Sequence, residues 1–399
     1  MPARILIAGG GIGGLAAAVA LARRGHSLEV LEQADAFGEI GAGVQLGPNV
    51  TRRLKALDLL EPALRLAARP PAVVVRDAQD GTELARMPLG DAIERKYGSP
   101  YLCMHRADLH SVLLDAARAC APKVELSTGV HIIEAAARGE TVCLGSDQLH
   151  AWEGDGLIGA DGLWSLVRSR VIEEVPPPRA TGHTAWRALA SMDLLPAALR
   201  AADVQVWLGV RLHAVAYPVR GGDWLNLVVI AEVQPGGAAA QKHDPADWDQ
   251  QADLAALLAA IGQRCDGVRP FIEAMPRWRA WQLNDRPPLT GPEEMVRGRV
   301  ALLGDAAHPM LPYLAQGAGM AIEDAVALAE RVAASGAAEL PAAFRRYAAA
   351  RWQRNARVQA RARRNGEVYH ASGARRMARD AALRVLGAHL LDNPWLYEG

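Results

Sequence analysis

Residues 4–33 read "RILIAGGGIGGLAAAVALARRGHSLEVLEQ", and the order of residue types in this stretch decides the architecture. Ile5 to Ala8 is a short apolar run with the character of a buried strand, and Gly9-x-Gly11-x-x-Gly14 follows at once. Leu15 to Arg24 reads as a helix stopped by Gly25, and Leu28 to Leu31 as a second strand ending at Glu32. Gly9 permits the tight turn, Gly11 lets backbone N–H groups approach a pyrophosphate, and Gly14 lets the helix pack close to the strand. The helix N-terminus then favours the anion. Glu32 stands 18 residues after Gly14, where a carboxylate accepts ribose hydroxyls. A glycine pattern alone is only a turn. With a strand before it, a helix after it and an acid at the end of the second strand, it is a βαβ dinucleotide site.

The rest of the chain must accommodate that unit. Its 399 residues exceed one average domain, and half of them are apolar, enough for a large core. Lys plus Arg equals Asp plus Glu at 44 each, which argues against a nucleic-acid partner held by bulk charge. Cys103, Cys120, Cys143 and Cys265 form no CxxC pair, so neither a metal site nor a disulfide framework is expected. Glycines interrupt the apolar N-terminal stretch, unlike an export signal, and no apolar run is long enough to span a bilayer. A cytoplasmic protein without stable membrane association is the expectation.

Three further stretches carry a family resemblance. "GEIGAGVQLGPN" (38–49) follows the glycine motif, "GLIGADGLWSLVR" (156–168) ends a short strand on Asp161-Gly162, and "RVALLGDAAHPMLPYLAQGAGMAIEDA" (299–325) runs from a strand through a proline-bracketed loop into a helix. In this order they resemble the fingerprints of the single-component, FAD-dependent aromatic-ring hydroxylases, the salicylate and 3-hydroxybenzoate hydroxylase group included. The resemblance implies FAD as cofactor, with NADH or NADPH as a transient co-substrate, since only one GxGxxG is present. It places Gln45 beside the flavin, Arg106 (in "MHRADLH", 104–110) on the flavin nucleotide, Asp161 on the flavin side and Arg168 in pyridine-nucleotide handling. Asp305 would accept hydroxyl hydrogen bonds from the ribityl chain, and the loop from His308 to Tyr313 would face the reactive ring. Gly317, Gly319 and Met320 would offer backbone N–H groups to the reduced flavin.

The fold class implied is α/β: a Rossmann-type FAD-binding domain (1–75, 101–178 and 284–330), an inserted antiparallel-sheet substrate domain (76–100 and 179–283) and a helical region (331–399). Strand patterns at 183–192, 204–210, 213–219 and 224–231, with Gly221-Gly222-Asp223 as a hairpin signal, fit the inserted sheet. His213 and Tyr217 stand four apart, on one face of such a strand. A histidine suits the acceptance of a phenol's proton, and the resemblance marks both residues as catalytic candidates, with His308 as a rival base. Arg187 and Arg211 are candidates for holding a substrate carboxylate. Arginines from Arg345 through Arg364 read as the solvated face of an amphipathic helix.

The reaction implied is hydroxylation of a small phenolic acid by O2 and NAD(P)H through a flavin C4a-hydroperoxide, in a monomer or homodimer. Pro312 stands where 3-hydroxybenzoate-type relatives often carry Gln, which tilts the substrate towards salicylate or another hydroxylated acid. A 6-hydroxynicotinate-type ring, a flavin reductase or halogenase on the same scaffold, and a non-catalytic flavin redox sensor are the alternatives. "MPRWRAWQL" (275–283) lacks the tryptophan spacing of the halogenases.

Overall fold

The computed structural model describes residues 2–38, 43–233, 250–262, 265–333 and 335–399. Residues 39–42 of the second stretch quoted above lie outside them. Two sheets organise the chain. The first has six strands in the order Val296–Arg297, Val300–Leu302, Gly156–Gly159, Arg4–Ala8, Ser27–Leu31 and Val124–Ser127. All its pairs are parallel except the first. Arg4–Ala8 lies in the interior of the sheet, so its side chains from Ile5 to Ala8 are all buried, as expected for a strand covered on both faces. The helix Ile12–Ala22 is alanine-rich and buried along almost its whole length. It packs between the helices Arg106–Ala119 and Gly317–Val332. Thus the first and third fingerprints are neighbours in space although about 300 residues apart.

The second sheet has eight strands in the order Gln250–Ala252, Trp278–Asp285, Arg179–Ser191, Trp224–Glu232, Leu212–Val219, Val204–Leu208, Ala72–Asp77 and Glu83–Pro88. It is antiparallel except where Val204–Leu208 meets Ala72–Asp77. Along Leu212–Val219 the side chains alternate between its two faces. Leu212, Ala214 and Ala216 join a core with Trp186, Trp207 and Leu227 under the helices Leu254–Ile261 and Arg269–Glu273. His213 and Val215 point the other way, towards a cavity. Pro218 lies one residue before the strand's end, paired with Leu225. The strand is interior to the sheet, but its pairing with Val204–Leu208 ends at Ala216, so Pro218 lies beyond that ladder.

The C-terminal part is helical: Leu340–Tyr369, Gly373–Leu386, Ala388–Leu391 and Pro394–Tyr397. Here the reading of a solvated basic face holds for Arg345, Arg346, Arg357 and Arg364, which are exposed, and is corrected at Arg351 and Arg354. Arg351 is buried and donates to Asp324 Oδ1 (2.8 Å) and Glu323 Oε2 (2.9 Å), and Arg354 donates to both Glu323 oxygens (2.7 and 2.8 Å). Burial alone would raise the Asp324 carboxyl, but His308 and Arg351 outweigh it and hold the group well below the usual range. The long helix is therefore bolted to the third fingerprint by charge. Among the described residues no helix is long and apolar enough to cross a membrane.

Candidate active site

The glycine loop has the conformation its sequence requires. Gly9 adopts φ +103°, and a Cβ there would sit 2.4 Å from the Ala160 carbonyl oxygen. A Cβ on Gly14 would sit 1.9 Å from the Gly9 oxygen. Gly11 is the N-cap of the helix, no side chain caps it, and its first turn carries no acid. Glu32 accepts from the Gly10 N–H (2.7 Å) and the Ala34 N–H (2.9 Å), which fixes its carboxylate beside the loop. The loop's other side is held by His110, whose Nε2 lies 2.8 Å from the Gly10 oxygen. Sequence reading passed over His110, which has no motif of its own. The helix Gly317–Val332 begins in the same manner, uncapped by any side chain and without an acid in its first turn. Gly319 and Met320 are buried there, and Gly317 is half-buried. Two bare helix N-termini and a glycine loop that admits no Cβ fit an FAD pyrophosphate and isoalloxazine.

Around this cradle each expected residue has a definite place. Asp161 accepts from Ser165 Oγ (2.5 Å) and the Val167 N–H (3.1 Å), and desolvation pushes its carboxyl up. Arg106 opens the helix Arg106–Ala119, directly after a strand that pairs with Gly43–Leu46. Asp305 is exposed on a single helical turn at the end of the strand Val300–Leu302. Arg168 differs from expectation. It is buried and donates to the Ala306 (2.9 Å) and Ala307 (2.5 Å) carbonyls, tying the second fingerprint to the third. Desolvation first, then the Arg286 charge, lowers it to about 10. With its Nη1 donors spent on the loop, Arg168 is built to hold the fingerprints together.

Beside the third fingerprint lies a cavity of about 680 Å3. One wall is the valine face of the eight-stranded sheet, another is the loop Pro312–Gln316, and the far wall comes from the C-terminal helices. Gln45 lines it and accepts from the Tyr101 hydroxyl (2.6 Å). His213 lines it from the sheet, with its Nδ1 2.9 Å from His370 Nε2. Burial, then the neighbouring His370 and His183, keep the His213 imidazole neutral far below its ordinary range. Tyr217 shares the strand face with His213 but is not among the residues lining the cavity, and its hydroxyl is hydrogen-bonded with Gln45. Desolvation keeps that phenol protonated.

His308 is not on the cavity wall. Its side chain is 0% exposed, and its Nε2 meets Asp324 Oδ2 at 2.5 Å. The imidazole is therefore walled off from any ring in the cavity, and the expectation of a rival base at 308 gives way to a loop fastener. Arg187 and Arg211 also lie elsewhere. Arg187 stacks on Trp281 at 5.3 Å, and Arg211 pairs with Glu232 at 2.6 Å. The cavity's arginines are Arg361, Arg364, Arg375 and Arg379, against Glu367 as its acid. These, with Tyr369 and His370, were not legible as site residues.

Residues 3–362 match the family of FAD binding domains. The chain belongs to this family. It is 38% identical over 380 residues to the 3-hydroxybenzoate 6-hydroxylase of Polaromonas naphthalenivorans (strain CJ2), covering 94% of this chain and 90% of that one. Among solved structures it resembles Klebsiella pneumoniae HpxO complexed with FAD and uric acid, with TM-score 0.84, 26% identity and 99% and 96% of the two chains covered. A salicylate hydroxylase substrate complex matches with TM-score 0.81 and 26% identity, covering 100% of this chain and 96% of that one. This FAD-dependent aromatic monooxygenase thus carries its three flavin fingerprints in one fold with relatives that act on small oxygenated rings.

Proposed function

We propose that this monooxygenase hydroxylates a small phenolic acid of the salicylate or 3-hydroxybenzoate type, consuming O2 and NAD(P)H. The observation that carries the proposal is His213. It is a neutral imidazole on the cavity wall, its Nδ1 2.9 Å from His370 Nε2. The glycine loop, Glu32, Asp161, Asp305 and the start of the helix Gly317–Val332 would hold FAD, which would supply the oxygen-activating chemistry.

The chain's own residues do the rest. His213 takes the proton of the ring hydroxyl, which raises electron density on the ring that is to be attacked. Tyr217 and Tyr101 are hydrogen-bonded with Gln45 and fix its side chain at the cavity wall. His308 and Arg168 keep the loop Gly304–Tyr313 in place. The valine wall excludes water, and the arginine-bearing wall accommodates the substrate's carboxylate. The relative named for 3-hydroxybenzoate supports this substrate class, and a hydroxypyridine carboxylate has the same combination of ring hydroxyl and anion.

The test is an oxygen-electrode screen of the yellow holoenzyme against monohydroxybenzoates and hydroxypyridine carboxylates, with NADH and with NADPH and with product identification. Stoichiometric O2 uptake with a hydroxylated product is expected. Nicotinamide oxidation without oxygenated product on any of these rings overturns the reading. In His213→Ala, hydroxylation is expected to fall about 100-fold or more while FAD content is kept.

A further inference from the structure

Beside the cavity wall two imidazoles and a carboxylate meet, and the reaction as described uses none of them. His183 and Glu232 are direct cross-strand partners in the eight-stranded sheet. His370 caps the C-terminal end of the helix Leu340–Tyr369. The backbone ties these places together. The Glu232 N–H donates to the Arg211 oxygen (2.9 Å), and the Arg211 N–H donates to the His370 oxygen (3.2 Å). One donor atom from each of the three side chains lies within 4.8 Å of the other two. His183 Nε2 and Glu232 Oε1 are 3.9 Å apart, and the rings of His183 and His370 are 4.9 Å apart.

Each of the three has one donor engaged and one spare. His183 Nδ1 is hydrogen-bonded with the Tyr313 hydroxyl, which leaves Nε2. His370 Nε2 stands 2.9 Å from His213 Nδ1, and its Nδ1 is buried with no hydrogen-bond partner among the described residues. Glu232 Oε2 accepts from Arg211 Nε (2.6 Å), which leaves Oε1 turned to His183. A buried polar atom without a partner is costly, so an orphan beside two spare donors points to a missing ligand. A metal-bound histidine has its other ring nitrogen hydrogen-bonded, and a metal-bound carboxylate is hydrogen-bonded in turn. Tyr313, His213 and Arg211 already supply those outer partners.

We propose that His183 Nε2, His370 Nδ1 and Glu232 Oε1 bind a divalent transition-metal ion of the zinc type, and that the bound ion slows hydroxylation by fixing the hydrogen-bond direction at His213. Two imidazoles and one carboxylate are a zinc ligand set that leaves the fourth position to water. Ligands of one tetrahedral ion stand about 3.3 Å apart, so small rotations of His183 and Glu232 close the set. Their side chains are 19% and 32% exposed, which gives the ion a way in from solvent. The one further cation acting on His370 is Arg379, which is paired with Asp380 at 2.8 Å. With Nδ1 on the ion, His370 carries its hydrogen on Nε2 and donates it to His213 Nδ1. A neutral His213 that accepts at Nδ1 carries its own hydrogen on Nε2, and it has no lone pair left for a ring hydroxyl's proton. This second step rests on the reading that His213 takes that proton. The site uses no cysteine, so cysteine spacing is silent on it.

The experiment titrates Zn2+ into tag-free, EDTA-treated, FAD-loaded enzyme. Equilibrium dialysis with elemental analysis reads bound zinc, absorbance reads FAD content, and product formation reads hydroxylation of 3-hydroxybenzoate or salicylate. The wild type is expected to bind one Zn2+ per chain, and its rate to fall about ten-fold or more as that site fills, with FAD retained. Glu232→Gln and His183→Ala are each expected to weaken zinc binding about 100-fold or more, since even a partner behind a ligand is worth about 10- to 100-fold. Measured against its own zinc-free rate, each variant is expected to resist zinc that stops the wild type. Glu232→Gln keeps the shape and decides the question if His183→Ala does not fold. A wild type that binds no stoichiometric zinc overturns the site, as does equal binding in wild type and Glu232→Gln. Zinc bound at the site with the rate unchanged overturns its effect on His213. A zinc-free wild type that hydroxylates no ring overturns the function instead, and the dialysis still decides the site.

Discussion

Asp324→Asn tests whether the third fingerprint is held by charge. Asp324 Oδ2 accepts from His308 Nε2 (2.5 Å) and the Gly304 N–H (3.2 Å). Its Oδ1 accepts from Arg351 Nε (2.8 Å) and Asn355 Nδ2 (3.1 Å). The side chain is 0% exposed, so water cannot substitute for a lost partner. An amide offers one oxygen. Turned towards Arg351, it presents N–H2 to His308, which can accept in its other tautomer, but the Gly304 N–H is orphaned. Turned the other way, it sets N–H2 against the Arg351 guanidinium. Either orientation takes the Asp324 charge from Arg351, which is left with Glu323, shared with Arg354, as its anion. Breaking a buried ion pair from one side costs about 3–5 kcal/mol. Unfolding entropy of about 2.1 cal/mol/K per residue over 399 residues is about 0.84 kcal/mol/K. The melting temperature of the FAD-free protein is therefore expected to fall by about 4–6 °C. Calorimetry of the FAD-free protein measures this without the stabilisation that FAD adds by binding. FAD affinity is expected to weaken as well, because Gly304 precedes Asp305. An apo melting temperature within about 1 °C of wild type, with unchanged FAD affinity, would refute the clamp.

Three further outcomes follow from the geometry. Gly14→Ala places a methyl 1.9 Å from the Gly9 oxygen, so the purified variant is expected to be colourless and to stay so when FAD is added, as read by visible absorbance. His213 and His370 have folded pKa values held below 6.5, chiefly by burial, His370 at about 3. Below about pH 6.5 the unfolded chain binds protons that the fold refuses, so stability is lost as pH falls from there, by up to about 1.4 kcal/mol per pH unit for each ring. Urea unfolding at pH 7.5 and 5.5 measures the loss, and His370→Asn is expected to shrink it. Arg361→Met removes a cation from the cavity wall. A lost charge-assisted hydrogen bond of about 1.5–3 kcal/mol raises KM for a carboxylated ring by roughly 10- to 150-fold. The corresponding uncharged phenol is expected to be unaffected, and an equal rise for both would exclude Arg361 as an anion contact.

What was legible in the sequence was local. The strand–glycine–helix unit and the Asp305 stretch declare themselves because backbone approach to a phosphate or a flavin restricts residue type at fixed spacing. The strand Leu212–Val219 was legible too, because period-two alternation survives in a strand with one face on a core and the other on a cavity. Arg168 and His308 misled for a common reason. A motif shows that a polar residue sits at a site, not which way its donors point. Here the donors point at the carbonyls of Ala306 and Ala307 and at Asp324, inside the wall. The C-terminal wall was hidden by distance. Arg351 reads as one arginine among many until Glu323 and Asp324 lie against it. His370 follows the long helix with no motif around it, and only the fold brings it to His213, 157 residues earlier. The sequence pattern thus exposes the half of the site that must fit FAD. The half that meets the substrate is assembled by packing between distant elements, and single residues can change there without breaking a fingerprint. Substrate choice is therefore expected to follow substitutions in residues 361–379 and in the sheet face, and swapping those positions with a relative of known substrate is the direct way to move it.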